Sequence, residues 1–161
     1  MQEKYWRYMV QVKARLFYLD MYEENSYKLD KYINMISAIA ASSSIGAWVI
    51  WQQLSFLWSI IIAISQVINA VKIFLPYSTR RKVTISFLGD LKLLYNKIEY
   101  NWFKVSDGEL TEEEINEMIF TFKDEYTNIE NKNLKEETLP ENERFVKIAA
   151  QKTDQYFENN F

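Results

Sequence analysis

Hydrophobic and charged residues are interspersed along most of this chain, but the forty residues from Tyr32 to Val71 include no charged side chain. Two apolar segments fill this stretch, residues 32–50 and 54–71, with Trp51, Gln52 and Gln53 between them. Each segment has about the length that a hydrocarbon core of ~30 Å requires of a helix. The pattern therefore predicts a two-helix transmembrane hairpin over residues 32–75.

A buried hairpin inside a soluble α-helical domain is an alternative interpretation, since apolar patterning alone does not separate the two environments. However, a chain of 161 residues builds only a small soluble core in which to bury forty uncharged residues. The size of the chain therefore favours the membrane interpretation.

Basic residues flank the uncharged stretch on both sides. Lys28 and Lys31 precede it, and four basic residues follow it: Lys72, Arg80, Arg81 and Lys82. By the positive-inside rule, both termini should lie in the cytoplasm. The far end of the hairpin carries three tryptophans that suit an interfacial anchor: Trp48, Trp51 and Trp58.

The segments outside the hairpin have the spacing of amphipathic helices. Residues 1–31 place Met9, Val12, Leu16 and Leu19 three or four positions apart. A longer stripe follows the hairpin and contains Val83, Phe87, Leu91, Leu94, Ile98 and Trp102. We expect the two stripes to pack together, so that residues 1–31 and 76–161 form one cytoplasmic helical bundle in an all-α membrane protein.

Two further helices are predicted near the C-terminus. Ser106-Asp107-Gly108 should end the long helix, and Thr111 followed by Glu112, Glu113 and Glu114 is typical of a helix start. The glutamate run is interpreted as that helix start and not as a metal site, because consecutive helical positions point apart. The apolar residues of this helix are Ile115, Met118, Ile119, Phe122 and Ile129, and those of the last helix are Phe145, Ile148, Ala149 and Tyr156.

Two patterns within the hairpin indicate how it could associate. Ala38, Ser42 and Gly46 recur at every fourth position of the first segment, and small residues allow close helix packing in lipid. In the second segment Ser55, Ser59, Gln66 and Asn69 fall within an arc of ~80°. We predict that this polar stripe lines a pore or packs the hairpin.

Composition and charge narrow the function classes. The chain contains no Cys and no His, which excludes thiol nucleophiles, imidazole bases and the usual zinc sites. No nucleophile and base pair is apparent, so we expect neither an enzyme nor a cofactor, and there is no direct DNA-binding signal.

Residues 72–105 carry seven basic and two acidic side chains, whereas residues 106–161 carry six basic and fifteen acidic side chains. The acidic C-terminal third could therefore bind a basic partner, while the basic segment is attracted to anionic lipid.

The order of elements resembles the SLATT family of bacterial two-transmembrane effector domains. The resemblance covers roughly residues 5–130 and rests on the aromatic-rich first helix, the hairpin and the Gly-x-Leu-Thr-x-Glu-Glu helix start at 108–114. It implies a homo-oligomeric pore-forming effector in the bacterial inner membrane, which permeabilises that membrane in anti-phage abortive infection. An upstream sensor protein or a nucleotide second messenger would be the trigger.

A membrane-anchored adaptor is the alternative function. In that case the hairpin is only an anchor, and the acidic helices dock a soluble partner. The two hypotheses differ in where Gln66 and Asn69 point, because amides in lipid must find partners within the hairpin or around an oligomer axis.

Overall fold

The computed structural model describes residues 1–50, 55–72, 77–135 and 139–161. Within its helices, side chains are described except at residues 39–50, 55, 57, 58, 61, 69, 72 and 77–79. These residues form five α-helices: α1 (Gln2–Ile50), α2 (Ser55–Lys72), α3 (Tyr77–Ser106), α4 (Glu112–Asn133) and α5 (Glu143–Asn160). The described chain is all-α. The predicted turn at 51–53 lies outside the described residues.

The chain divides into two compact units. The first contains Met1–Glu24 and Lys82–Phe161, and the second contains Asn25–Arg81. Helix α1 contributes to both units. Among the parts of the chain that the structure describes, no helix combines the length and the apolar character needed to cross a membrane.

The two amphipathic stripes meet in the core of the first unit. Met9, Val12, Leu16 and Leu19 of α1 are buried, and Phe87, Leu91, Leu94 and Ile98 of α3 are completely buried beside them. The expected packing of α1 on α3 is therefore observed. Trp102, the last member of the α3 stripe, is half-buried and packs against the edge of this core.

A Schellman motif joins α3 to α4. The Glu109 N–H donates to the Lys104 carbonyl (3.2 Å), and the Gly108 N–H donates to the Val105 carbonyl (3.3 Å). Gly108 has φ = 72°, a left-handed conformation that a residue without Cβ adopts at little cost. The chain therefore turns where the Ser106-Asp107-Gly108 sequence predicted.

A capping box begins α4. The Thr111 side chain accepts from the Glu114 N–H (3.3 Å), and the Glu114 carboxylate accepts from the Thr111 N–H (2.8 Å). Hydrogen bonds from the Thr111 main chain and then from its hydroxyl hold the pKa of Glu114 below its ordinary value. Ile115, Ile119 and Phe122 then face the core from α4.

Helix α5 is tied to α1 at its start. The Asn142 side chain caps the helix by accepting from the Arg144 and Phe145 N–H groups. The Tyr18 hydroxyl of α1 donates to the Pro140 carbonyl (2.9 Å) and accepts from the Asn142 N–H (3.1 Å). The buried face of α5 is Ala149, Thr153 and Phe157, whereas the predicted Phe145, Ile148 and Tyr156 are only partly buried.

Candidate functional surfaces

Large apolar side chains are exposed throughout the described part of the second unit. Phe56 is 78% exposed and Val67 is 62% exposed, values that a residue in a packed core does not have. The other exposed members on α1 and α2 are Tyr27, Leu29, Tyr32, Met35, Ile36, Ile60, Ile62, Ile64 and Val71. An apolar surface of this kind usually marks a contact with a membrane or with another protein.

The predicted polar stripe of α2 is only partly described. Ser59 and Gln66 are exposed, while the side chains of Ser55 and Asn69 lie outside the described residues. At about 100° per residue, the exposed Ile62 falls inside the same arc. The predicted stripe is therefore interrupted by an isoleucine.

Among the described side chains of α2, Ser65 is the polar one that packs inward. It is 3% exposed and makes a polar interaction, although it lies outside the arc of the predicted stripe. Sequence reasoning missed it because a serine among isoleucines gives no signal of its own. The interior of the second unit thus contains at least one satisfied polar group.

Of the three small residues predicted to pack the hairpin, the structure describes the side-chain environment only at Ala38. Ala38 is exposed, and the surroundings of Ser42 and Gly46 are not described. The contact that this pattern predicts therefore stays a prediction.

The basic residues after the uncharged stretch occupy different environments. Arg80 and Arg81 are half-buried, and the Arg81 guanidinium lies 4.7 Å from the centre of the Tyr27 ring. Lys82 is exposed and begins the second segment of the first unit, and the Lys72 side chain lies outside the described residues. Within the second unit, Arg81 therefore links α3 to α1.

A lysine and two tyrosines form a polar cluster inside the first unit. The Lys13 Nζ lies 3.5 Å from the centre of the Tyr156 ring and 4.3 Å from that of Tyr95. Both tyrosine hydroxyls donate to the Glu99 carboxylate, that of Tyr95 at 3.1 Å. Burial lowers the pKa of Lys13 against the opposing effect of Glu99. The pairing of Lys13 with aromatic rings and a carboxylate accounts for its half-buried position.

A polar cleft of about 600 Å³ lies between α1 and α4. Among the described residues, the Tyr8 hydroxyl and the Arg15 Nε are buried there without a hydrogen-bond partner. Lys123, Tyr126 and Glu130 complete its polar lining. Ordered water molecules would satisfy such groups.

The outer face of α4 is acidic. The helix carries seven acidic and two basic side chains, and five of the acidic ones are exposed: Glu112, Glu113, Glu114, Glu117 and Asp124. Glu125 pairs with Lys97 of α3, so part of the charge is neutralised within the unit. No group of three or more potential metal ligands occurs among the residues that were described.

Comparison of the chain with protein-family models, with curated proteins and with solved structures finds no match.

Proposed function

We propose that residues 32–75 form a transmembrane hairpin and that copies of the chain associate to open a pore in the bacterial inner membrane. The proposal is carried by a forty-residue uncharged stretch that also exposes apolar side chains such as Met35, Phe56 and Val67. Contiguous apolar surface on a water-soluble monomer is normally small, so a surface of this extent calls for an apolar environment. Both proposed spans include side chains outside the described residues, and the proposal therefore rests on the complete sequence.

The exposed polar residues of α2 support association of several copies. An amide such as that of Gln66 would lack hydrogen-bond partners in lipid, so it must meet water or another helix. Copies arranged around an axis would give Ser59 and Gln66 a shared water path. Such a lining has no fixed charge, and we expect weak ion selectivity.

The biological role follows from the resemblance to SLATT effectors. We infer that both termini are cytoplasmic and that an upstream sensor protein or a nucleotide second messenger triggers the pore during phage infection. The bundle of α1, α3, α4 and α5 is then the part that receives the signal.

Vesicle reconstitution tests the pore. The full chain, purified in detergent and incorporated into vesicles of bacterial lipids, should release an encapsulated dye and dissipate an ion gradient. Release should increase steeply with the protein-to-lipid ratio, since several copies form one pore. If the chain floats with the vesicles but releases no dye at any protein-to-lipid ratio, the proposal is contradicted.

Membrane orientation is tested separately with introduced cysteines, because the chain has no Cys of its own. In intact cells, a membrane-impermeant thiol reagent should label Gln53→Cys and should not label Asn159→Cys. The opposite labelling pattern would show that the predicted orientation is wrong.

The acidic surface of α4 favours the membrane-anchored adaptor as a second candidate. An adaptor should insert into vesicles without leakage and should bind a basic partner through exposed residues such as Glu113 and Glu117. Replacing both glutamates with glutamine should abolish the activity of an adaptor. The same change should leave vesicle leakage by a pore nearly unchanged.

A further inference from the structure

An aromatic cleft of about 780 Å³ opens on the surface of the first unit. Its walls come from α1, α3 and the C-terminal end of the chain, and they carry four aromatic side chains: Trp6, Trp102, Phe157 and Phe161. The Trp6 ring is central, because its centroid lies 4.9 Å from that of Trp102, 4.8 Å from that of Phe157 and 5.5 Å from that of Phe161.

These rings are not fully covered by the rest of the unit. Phe161 is 48% exposed, and Trp6 and Trp102 are half-buried. Contacts between the rings thus fix their positions while part of their surface stays open to the cleft. A rigid aromatic surface can bind a ligand without losing much side-chain freedom.

Two carboxylates line the same cleft. Asp154 and Glu158 lie one turn apart on α5, and both are exposed. Among the described residues, neither carboxylate has an ion-pair or hydrogen-bond partner. Like charges four positions apart destabilise a helix slightly, so a bound cation would relieve their repulsion. Among the residues that the structure describes, no lysine or arginine lines the cleft.

Elsewhere in this unit the protein places its own cations on aromatic rings. Lys13 lies over Tyr156 at 3.5 Å, and Lys4 lies over Phe120 at 5.6 Å. Within the described residues, none of the four rings of the cleft has such a partner, although tryptophan is the strongest cation–π acceptor. The cleft therefore combines aromatic surface and negative charge with no internal cation.

We propose that this cleft binds a small organic cation that carries an alkylated ammonium group. The methyl groups of such a cation contact the rings, and its delocalised positive charge is attracted by both the aromatic faces and the carboxylates. A primary ammonium is compact and strongly hydrated, which makes its transfer into an aromatic cleft costly. Calcium and magnesium suit the cleft poorly, because they prefer six or more oxygen ligands and the side chains that line the cleft offer oxygens only at Asp154, Glu158 and Ser106. The inference does not depend on the proposed pore.

The same alkylated ammonium group occurs in free solutes and in lipid headgroups. Choline represents the free solute, and glycerophosphocholine represents the headgroup without its acyl chains. The Asp154 and Glu158 carboxylates should repel the added phosphate, so we expect choline to bind more tightly. Tighter binding of glycerophosphocholine would identify a lipid headgroup as the source of the same cation.

Calorimetric titration of the full chain tests the proposal, in a maltoside detergent that contains no ammonium group. Choline and tetramethylammonium should bind saturably with one site per chain. The neutral isostere of choline, in which carbon replaces the nitrogen, should bind at least about tenfold more weakly, since it keeps the shape and loses the charge. Arginine amide serves as a comparison ligand, because it carries a guanidinium group instead of an alkylated ammonium group. The proposal is overturned if choline and its isostere bind equally, if arginine amide binds more tightly than choline, or if choline does not bind saturably.

Variants locate the binding site. Asp154→Asn with Glu158→Gln should weaken choline binding at least about fivefold, and Phe161→Ala should weaken it in the same direction. The matched control is Glu113→Gln with Glu117→Gln, another exposed acidic pair four positions apart, which lies on α4 away from the cleft. Thermal unfolding of each variant checks that the fold is retained. If the control pair weakens binding as much as the Asp154 and Glu158 pair, the effect is one of overall charge and the site assignment is wrong.

Discussion

The hydroxyl of Tyr5 donates a 2.8 Å hydrogen bond to the main-chain carbonyl of Ile98, a residue ninety-three positions away in the sequence. Both side chains are completely buried. The bond fixes α1 against α3 at the end of the core where the aromatic cleft lies, because Trp102, one turn beyond Ile98, stacks on the Tyr5 ring at 6.0 Å.

Removing that hydroxyl should lower the stability of the first unit. Tyr5→Phe keeps the ring and leaves the Ile98 carbonyl without this donor, so the free energy of unfolding should fall by about 1 kcal/mol. Tyr100→Phe is the matched control, because Tyr100 is 66% exposed on α3. Denaturant unfolding measures both variants, and equal stabilities would contradict a structural role for the bond.

The stabilities of the parent and of Tyr5→Phe should respond differently to alkaline pH. Burial, with a smaller contribution from Tyr8, raises the pKa of Tyr5 above its ordinary value. The unfolded chain ionises this group above about pH 10 while the folded chain holds its proton. The stability that the hydroxyl provides is therefore complete below about pH 10 and is lost as pH rises further. The difference in unfolding free energy between parent and Tyr5→Phe should narrow in that range. A constant difference across the alkaline titration would contradict the assigned pKa shift.

Leu91 should be among the most sensitive positions of the core. It is completely buried in the core on α3, and Leu91→Ala should reduce the free energy of unfolding by about 2–5 kcal/mol through lost apolar burial and the resulting cavity. Leu93, two positions away and 64% exposed, provides the control. Leu93→Ala should change stability by less than about 0.5 kcal/mol. Similar losses at both positions would show that the α3 register is wrong.

Removing the capping box of α4 should lower stability by less than Leu91→Ala does. Thr111→Ala removes the side-chain acceptor of the Glu114 N–H, and we expect a loss of about 1 kcal/mol by denaturant unfolding. Thr121→Ala, at an exposed position inside the same helix, should cost much less. If Thr121→Ala were the more damaging change, the start of α4 would have to be reassigned.

The polar residues of α2 allow a matched test of the pore. Ser59→Leu with Gln66→Leu should preserve membrane insertion and abolish dye release from vesicles. The control is Ile60→Leu with Val67→Leu, which changes the exposed residues that directly follow Ser59 and Gln66. It should leave dye release nearly unchanged. A Ser59 and Gln66 double variant that inserts and still leaks at the parental rate would remove these residues from the conduction path.

Much of the architecture was predictable because helices depend on neighbours within about four positions. The alternating spacing of Met9 to Leu19 and of Phe87 to Ile98 identified both buried stripes. The end of α3 just before Gly108 and the start of α4 just after Thr111 were predictable for the same reason, since a left-handed glycine and a capping box are local features. The uncharged stretch is equally a property of the sequence, although its membrane insertion stays a prediction.

The contacts between distant groups depend on how the helices pack in three dimensions. Tyr18 reaches the start of α5, Lys13 lies between Tyr95 and Tyr156, and Trp6 becomes the centre of an aromatic cleft. None of these pairings has a local signal, because an aromatic residue on a helix face can pack against any apolar neighbour. Local sequence thus places the helices and their apolar stripes. Three-dimensional packing selects the partners of the polar and aromatic groups, because those contacts join residues that local propensities do not connect.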